Sequence, residues 1–113
     1  MIKPFRNTLR SKQQLHGLLI TIPSPEVVEI ISHAGFDWLF FDLEHSAIGF
    51  ETLQNLLRSV PESCFVAIRV PEATTTHVAK VLEAGAEGVI FPRVSTARQA
   101  QEAVALCKYP PLG

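Results

Sequence analysis

The 113-residue sequence has little cysteine, almost no net charge and no long apolar run. Its two cysteines, Cys64 and Cys107, lack the spacing of a redox or zinc motif, so we expect buried thiols in a reducing compartment. A net charge of −1 argues against a nucleic-acid or anionic-membrane surface. No stretch is long enough to span a bilayer, and residues 1–14 lack the apolar core of a signal peptide. These absences predict a cytoplasmic protein without nucleic-acid or membrane partners.

What the sequence does have is a regular alternation of strand-like and helix-like patterns. Strands are predicted at residues 15–20, 37–42, 65–70 and 88–92, and helices at 24–35, 49–60, 75–84 and 95–108. Ser24 and Pro25 form a typical helix start, Gly85 a typical helix end, and either Ser95 or Thr96 caps the last helix. The alternation predicts four βα units, with parallel strands joined by right-handed crossovers.

The segment of residues 36–45 carries the strongest functional signal. It begins as a continuous apolar run, which is typical of a strand covered on both faces. Asp42, Glu44 and His45 follow at its C-terminal end, where α/β barrels place their catalytic groups. Two carboxylates and an imidazole at this point favour acid–base or metal-assisted chemistry. The alternative is a strand that simply ends in a polar loop.

Four βα units leave the architecture open. A complete (β/α)₈ barrel typically has about 250 residues, more than twice the length of this chain. The pattern therefore fits either a small open sheet or half of a barrel.

Six short motifs, in order along the chain, carry a family resemblance. They are Ala34-Gly35-Phe36-Asp37-Trp38, Asp42-x-Glu44-His45, Val66-x-x-Arg69-Val70-Pro71, Leu82-Glu83-Ala84-Gly85-Ala86, Phe91-Pro92-Arg93-Val94 and Tyr109-Pro110-Pro111-x-Gly113. With these motifs the sequence resembles the HpcH/HpaI aldolases, metal-dependent class II enzymes such as 4-hydroxy-2-oxoheptanedioate or 2-dehydro-3-deoxyglucarate aldolase. The resemblance covers essentially the whole chain beyond the first dozen residues.

The resemblance implies an α/β fold of the (β/α)₈ TIM-barrel type. Residues 1–113 would supply about the first four βα units of a single domain that continues beyond Gly113. The implied reaction is reversible aldol cleavage of a 4-hydroxy-2-oxo acid to an aldehyde and pyruvate, or a related 2-oxo acid. The implied cofactor is Mg²⁺, Mn²⁺ or Co²⁺, and a homo-oligomer, usually a hexamer, is expected.

The resemblance also assigns roles to individual residues. His45 matches the general base, and histidine is the residue type suited to proton transfer near neutrality. Arg69 matches the arginine that binds the 2-oxo acid and holds the enolate oxygen; alternatively, it only pairs with Asp42 or Glu44. Glu83 stands where the family commonly has an aspartate that raises the basicity of the histidine. Because Glu83 ends a helix, at the opposite rim from His45, contact would need an unusual path or a neighbouring subunit.

Asp42 and Glu44 are expected to orient His45, Arg69 or metal-bound water. The direct metal ligands implied by the family are a Glu and an Asp on later strands, so none is expected within this chain. Arg93 follows the fourth strand and is expected either to line the pocket or to form a surface ion pair. Three further histidines have no ligand spacing and are expected to be structural or solvated: His16, His33 and His77.

Two other functional interpretations remain open at this point. One is the citrate lyase β-like branch of the same superfamily, which acts on acyl-CoA substrates; the Glu44-His45 pair favours the aldolase branch. The other is a half-barrel fragment or binding domain without catalytic activity.

Overall fold

The computed structural model describes residues 4–11 and 13–110. Along the chain lie α1 (Phe5–Arg10), β1 (Gly17–Ile20), α2 (Pro25–Ser32), β2 (Trp38–Asp42), α3 (Phe50–Leu57), β3 (Phe65–Arg69), α4 (Thr75–Ala84), β4 (Gly88–Ile90) and α5 (Ala97–Leu106). The four predicted βα units are therefore present. Pro111 and Gly113 of the C-terminal motif, like residues 1–3 and 12 of the polar N-terminal stretch, lie outside the described residues.

The four strands form one parallel sheet in the order β1-β2-β3-β4. Trp38 of β2 lies between Gly17 of β1 and Phe65 of β3, and Ala67 of β3 lies beside Gly88 of β4. A doubly wound sheet reverses its strand order at one point, whereas this sheet runs in sequence order from edge to edge. The arrangement is that of a barrel wall, and it confirms the α/β class with parallel strands.

The hydrophobic core lies between one face of the sheet and the helices. Its strand residues alternate with those of the opposite face, as the twofold side-chain period of a strand requires. Helices α2, α3 and α4 all contribute to this core, as expected when successive parallel crossovers share one hand. The buried side chains that form it include Ile20, Leu39, Phe41, Val66 and Ile68 from the strands and Val28, Leu53, Leu56 and Val81 from the helices.

The other side of the sheet, here called the inner face, carries aromatic side chains near its N-terminal edge. Phe5 of α1 stacks on Phe65 with ring centroids 4.6 Å apart, and its ring lies 5.9 Å from that of Trp38. Gly17 makes room for this cluster, because a Cβ atom there would lie 2.2 Å from Cε2 of Trp38. Helix α1 thus covers the inner face near its N-terminal edge. No helix was predicted at these residues.

The helix starts and the end of α4 follow the predicted signals, whereas α2, α3 and α5 end two or three residues before their predicted ends. Ser24 Oγ accepts a hydrogen bond from the Val27 N–H at 3.3 Å at the start of α2. Between the two candidate caps of α5 the structure has Thr96, which forms a reciprocal capping box with Gln99. Gly85 ends α4 with a φ of 112°, a conformation that glycine adopts without a Cβ clash. Capping chemistry, readable from the sequence, therefore sets these boundaries.

Both cysteines were expected to be buried, and the structure agrees for one of them. Cys64 is buried as expected, but the expectation was wrong for Cys107, which is exposed where the chain leaves α5. No helix in the described part of the chain is long and apolar enough to cross a membrane.

Candidate active site

Asp42 and Arg69 are the last residues of β2 and β3 and stand opposite each other in the sheet register. The carboxyl ends of parallel strands share one edge, so polar side chains that end neighbouring strands on the same face meet there. Asp42 is only 1% exposed, whereas Arg69 is partly exposed. Burial of a carboxylate to this degree requires a charged or hydrogen-bonding partner, and Arg69 provides it.

The pair is bidentate. Arg69 Nε donates to Asp42 Oδ1 at 3.0 Å, and Arg69 Nη2 donates to Oδ2 at 2.7 Å. This contact uses one side of the guanidinium fork. Within residues 4–11 and 13–110, Nη1 has no hydrogen-bond partner, so its donors are available to a bound molecule.

Asp42 also shapes the loop that carries Glu44 and His45. Its Oδ1 accepts hydrogen bonds from the backbone N–H of Glu44 at 2.8 Å and of His45 at 3.2 Å. Its backbone oxygen accepts a hydrogen bond from Ser46 Oγ. Aspartate commonly organises turns by bonding to the backbone that follows it. One buried carboxylate therefore positions both Arg69 and the start of the loop.

The charge of Asp42 is stabilised by these contacts. The Arg69 guanidinium, assisted by the two backbone N–H groups, lowers the pKa of Asp42 from 3.8 to about 2, against the opposing effect of burial. Asp42 is therefore ionised throughout the neutral range, and its negative charge is balanced by Arg69.

We predict that Asp42 contributes to the acid sensitivity of the fold. Because folding lowers its pKa, its contribution is complete above pH about 4 and is lost as the pH falls from about 4 to about 2. Allowing for solvent around Arg69, the amount is about 1–2 kcal/mol. The check is the free energy of unfolding of the wild type and of Asp42→Asn between pH 2 and pH 6. The difference between them should shrink below pH 4, and a constant difference would contradict the assignment.

Glu44 connects Arg69 to His45. Its Oε1 atom lies 3.4 Å from Arg69 Nε and 3.2 Å from His45 Nε2. The Glu44 side chain is 12% exposed, whereas that of His45 is 72% exposed. The four residues Asp42, Arg69, Glu44 and His45 form a continuous chain of charged contacts, here called the carboxyl-edge array. It runs from the buried end of β2 to an imidazole in solvent.

Phe40 is the residue of this site that the sequence analysis missed. It lies two positions before Asp42 and therefore on the same, inner face of β2. The Cζ atom of Arg69 lies 5.1 Å from the centroid of its ring, within the range of a cation–π contact. The available signal was the period of two along the strand, which places residues 38, 40 and 42 in one column.

The structure keeps the remaining candidates apart from the array. Glu83 is exposed in the last turn of α4, a helix that begins after the carboxyl edge of β3 and runs for about 15 Å. Within the described ranges, no hydrogen bond or ion pair joins Glu83 to the array. Arg93 is exposed beyond β4 with a positive φ of 52°.

The other three histidines lie elsewhere in the fold. His16 is exposed before β1, and His33 Nδ1 lies 2.8 Å from the backbone oxygen of Glu29 in α2. The His77 ring packs between helices, 5.6 Å from the ring of Phe50. The positions of His16 and His33 agree with solvated or structural roles, whereas Nδ1 of His77 is buried without a hydrogen-bond partner among the described residues.

Comparison with known proteins supplies the family. A family model described as HpcH/HpaI aldolase/citrate lyase matches residues 16–113. The chain belongs to this family. The match includes every strand of the sheet and all four residues of the carboxyl-edge array.

Two relatives show the level of similarity. The chain is 35% identical over 113 residues to a hydroxypyruvate/pyruvate aldolase of Roseobacter denitrificans, covering 99% of this chain and 44% of the relative. It is 33% identical over 111 residues to a 2-keto-3-deoxy-L-rhamnonate aldolase of Salmonella typhi, covering 97% of this chain and 42% of the relative. The chain thus spans less than half the length of these relatives.

The fold of the HpcH/HpaI family agrees with the sheet described above. A crystal structure of an HpcH/HpaI aldolase/citrate lyase family protein from Burkholderia cenocepacia superimposes with a TM-score of 0.85 and 30% identity. The match covers 95% of this chain and 46% of that protein. This neighbour has a TIM-barrel-type fold, so the four βα units correspond to part of such a barrel rather than to a small open sheet.

The described residues do not provide a complete set of ligands for the divalent metal that the resemblance implies. In the part of the chain that the structure describes, no three His, Cys, Asp or Glu side chains converge to hold a metal ion. Both oxygens of Asp42 are already engaged by Arg69 and the backbone. We therefore derive no catalytic step through a metal from these residues.

Proposed function

We propose that this chain supplies the first four βα units, residues 1–113, of a TIM-barrel aldolase domain. The proposed reaction is reversible cleavage of a 4-hydroxy-2-oxo acid to an aldehyde and pyruvate, or a related 2-oxo acid. The observation that carries the proposal is the carboxyl-edge array, in which a partly free arginine and an exposed histidine are linked by one glutamate. Family membership and the aldolase names of the relatives support the reaction class.

In this proposal His45 takes the proton from the 4-hydroxyl group of the substrate. Glu44 Oε1 faces Nε2 of His45 at 3.2 Å, so a proton on Nε2 leaves the lone pair of Nδ1 available. The same carboxylate would pair with the imidazolium that forms during the reaction. Exposure of the ring provides access for a substrate that approaches from the carboxyl edge.

Arg69 stabilises the negative charge that results. When the 4-hydroxyl loses its proton, the C4–O bond becomes the aldehyde carbonyl and the C3–C4 bond breaks. The electron pair forms the C2–C3 double bond of an enolate, whose negative charge lies on the oxygen at C2. The Nη1 donors of Arg69 are not used within the array and can bind this oxygen. A proton, in net balance the one removed from the 4-hydroxyl, then adds to C3 and gives the 2-oxo acid.

Asp42 and Glu44 position these two groups, as the distances above indicate. The proposed cofactor is Mg²⁺, Mn²⁺ or Co²⁺, bound by a Glu and an Asp beyond Gly113. The predicted role of Glu83 requires a neighbouring subunit of the proposed homo-oligomer, because the helix that carries it runs away from its own array. The assignment of Glu83 stays a prediction.

The test uses the whole protein, meaning the complete polypeptide that its host produces. Its intact mass is measured first. Purified protein with Mg²⁺, Mn²⁺ or Co²⁺ is then offered a panel of 4-hydroxy-2-oxo acids, and pyruvate release is followed by coupled lactate dehydrogenase. We expect a mass of at least about twice that of this chain, and cleavage that a chelator abolishes.

Two outcomes would favour the other interpretations. Cleavage of acyl-CoA substrates without activity on the panel would assign the protein to the citrate lyase β-like branch. A mass of 12.5 kDa with no activity would indicate a half-barrel without autonomous catalysis.

A further inference from the structure

The guanidinium of Arg69 is held from three directions. Asp42 and Glu44 approach its edge, at 2.7 to 3.4 Å, and the ring of Phe40 lies against it with 5.1 Å between Cζ and the ring centroid. Asp42 accepts hydrogen bonds from Nε and Nη2, and Glu44 forms an ion pair with Nε at 3.4 Å. The ring attracts the cation through the negative charge of its π face and occupies no N–H donor.

The Phe40 ring is supported by other aromatic rings on the side toward the N-terminal edge of the sheet. Its ring stacks on that of Trp38 with centroids 6.2 Å apart and an interplanar angle of 12°. Trp38 packs against Phe5, which in turn stacks on Phe65. An aromatic column therefore extends along the inner face from its N-terminal edge to Arg69. Aromatic side chains have few rotatable bonds, so such a column limits the movement of the ring on which Arg69 rests.

We propose that Phe40 is a positioning residue for Arg69, which keeps the Nη1 donors directed at the substrate oxygen. The inference rests on the proposed aldolase function. A third carboxylate in place of the ring would compete for Nη1, whereas a leucine would fill similar space without attracting the cation. The aromatic ring therefore attracts the guanidinium and leaves its Nη1 donors unoccupied. Neither a carboxylate nor a leucine would do both.

This role bears on catalysis because enolate stabilisation depends on donors fixed before the charge develops. A guanidinium free to tilt about the Asp42 contact would still bind the substrate carboxylate or carbonyl. It would lose alignment with the oxygen that becomes negative during C3–C4 cleavage. Weakening the ring contact should therefore lower kcat more than it raises KM.

The sharpest test replaces Phe40 of the whole protein with pentafluorophenylalanine. This residue keeps the shape and apolar character of the ring but reverses the charge distribution of its face. The matched control is the same replacement at Phe36, which precedes β2 and packs against the core on the other side of the sheet, outside the aromatic column. Phe40→Leu and Phe40→Trp extend the series, and each variant is assayed for kcat, KM and Tm.

We expect kcat to fall about 3- to 30-fold for pentafluorophenylalanine at position 40 and for Phe40→Leu. Phe40→Trp should retain most activity, and the control at position 36 should match the wild type. An unchanged kcat with fluorination at position 40 would overturn the inference even if Phe40→Leu proves unstable. An inactive wild type would instead contradict the proposed function, and with it this role of Phe40.

Discussion

Replacing His45 with alanine is expected to lower the kcat of aldol cleavage by about 10²- to 10⁴-fold. The imidazole is the proposed base of the carboxyl-edge array, and its removal leaves the 4-hydroxyl without a proton acceptor. Since the side chain is 72% exposed, its loss should change the unfolding temperature little. The measurement is steady-state kinetics of the whole protein with its best substrate from the 4-hydroxy-2-oxo acid panel.

His16→Ala provides the matched control for this variant. His16 is also exposed, but it precedes β1 and therefore lies at the edge of the sheet opposite the array. Its replacement should leave kcat and KM unchanged. Near-normal turnover by His45→Ala, in a protein that remains folded, would remove His45 from the catalytic role.

The substitution Arg69→Lys is expected to reduce kcat/KM by at least about 100-fold although it conserves the charge. Lysine cannot reproduce the bidentate contact that Nε and Nη2 make with Asp42 while donating from a third nitrogen. The single ammonium group of the lysine would either pair with Asp42 or reach toward the substrate. The cost should appear mainly in kcat, because the enolate oxygen carries more negative charge than the substrate carbonyl.

A conservative exchange elsewhere controls for the general effect of replacing arginine by lysine. Arg98 forms an exposed ion pair with Glu102 on α5, at 3.1 Å, and Arg98→Lys should leave both activity and stability unchanged. Full activity of Arg69→Lys would contradict recognition by a forked donor. A single positive charge at this position would then be sufficient for activity.

Much of this fold is predictable because its determinants are local. Strand and helix periods gave the four βα units, and residues such as Ser24 and Gly85 marked helix ends through capping chemistry. The contact between Asp42 and Arg69 can also be predicted from the sequence, because both residues end neighbouring parallel strands. Such features depend on short-range sequence or on one simple rule of sheet geometry.

The features that escaped prediction depend on tertiary contacts. Helix α1 has six residues, no side-chain cap and one buried side chain, so only the packing of Phe5 against the inner face reveals its place. The contact of Phe40 with Arg69 requires the register between β2 and β3. The exposure of Cys107 depends on what packs around the end of α5, which its sequence neighbours do not encode.

The most direct test of the central claim is exchange of the methyl protons of pyruvate for deuterium, followed by proton NMR. An enzyme that stabilises the enolate of pyruvate should catalyse this exchange without any aldehyde, so the unknown aldehyde is not required. We predict that the whole protein, with a divalent metal, exchanges pyruvate protons in D₂O, and that Arg69→Lys loses this activity. Absence of exchange by folded wild-type protein, with Mg²⁺, Mn²⁺ and Co²⁺ each supplied, would contradict an enolate-stabilising site at the carboxyl edge.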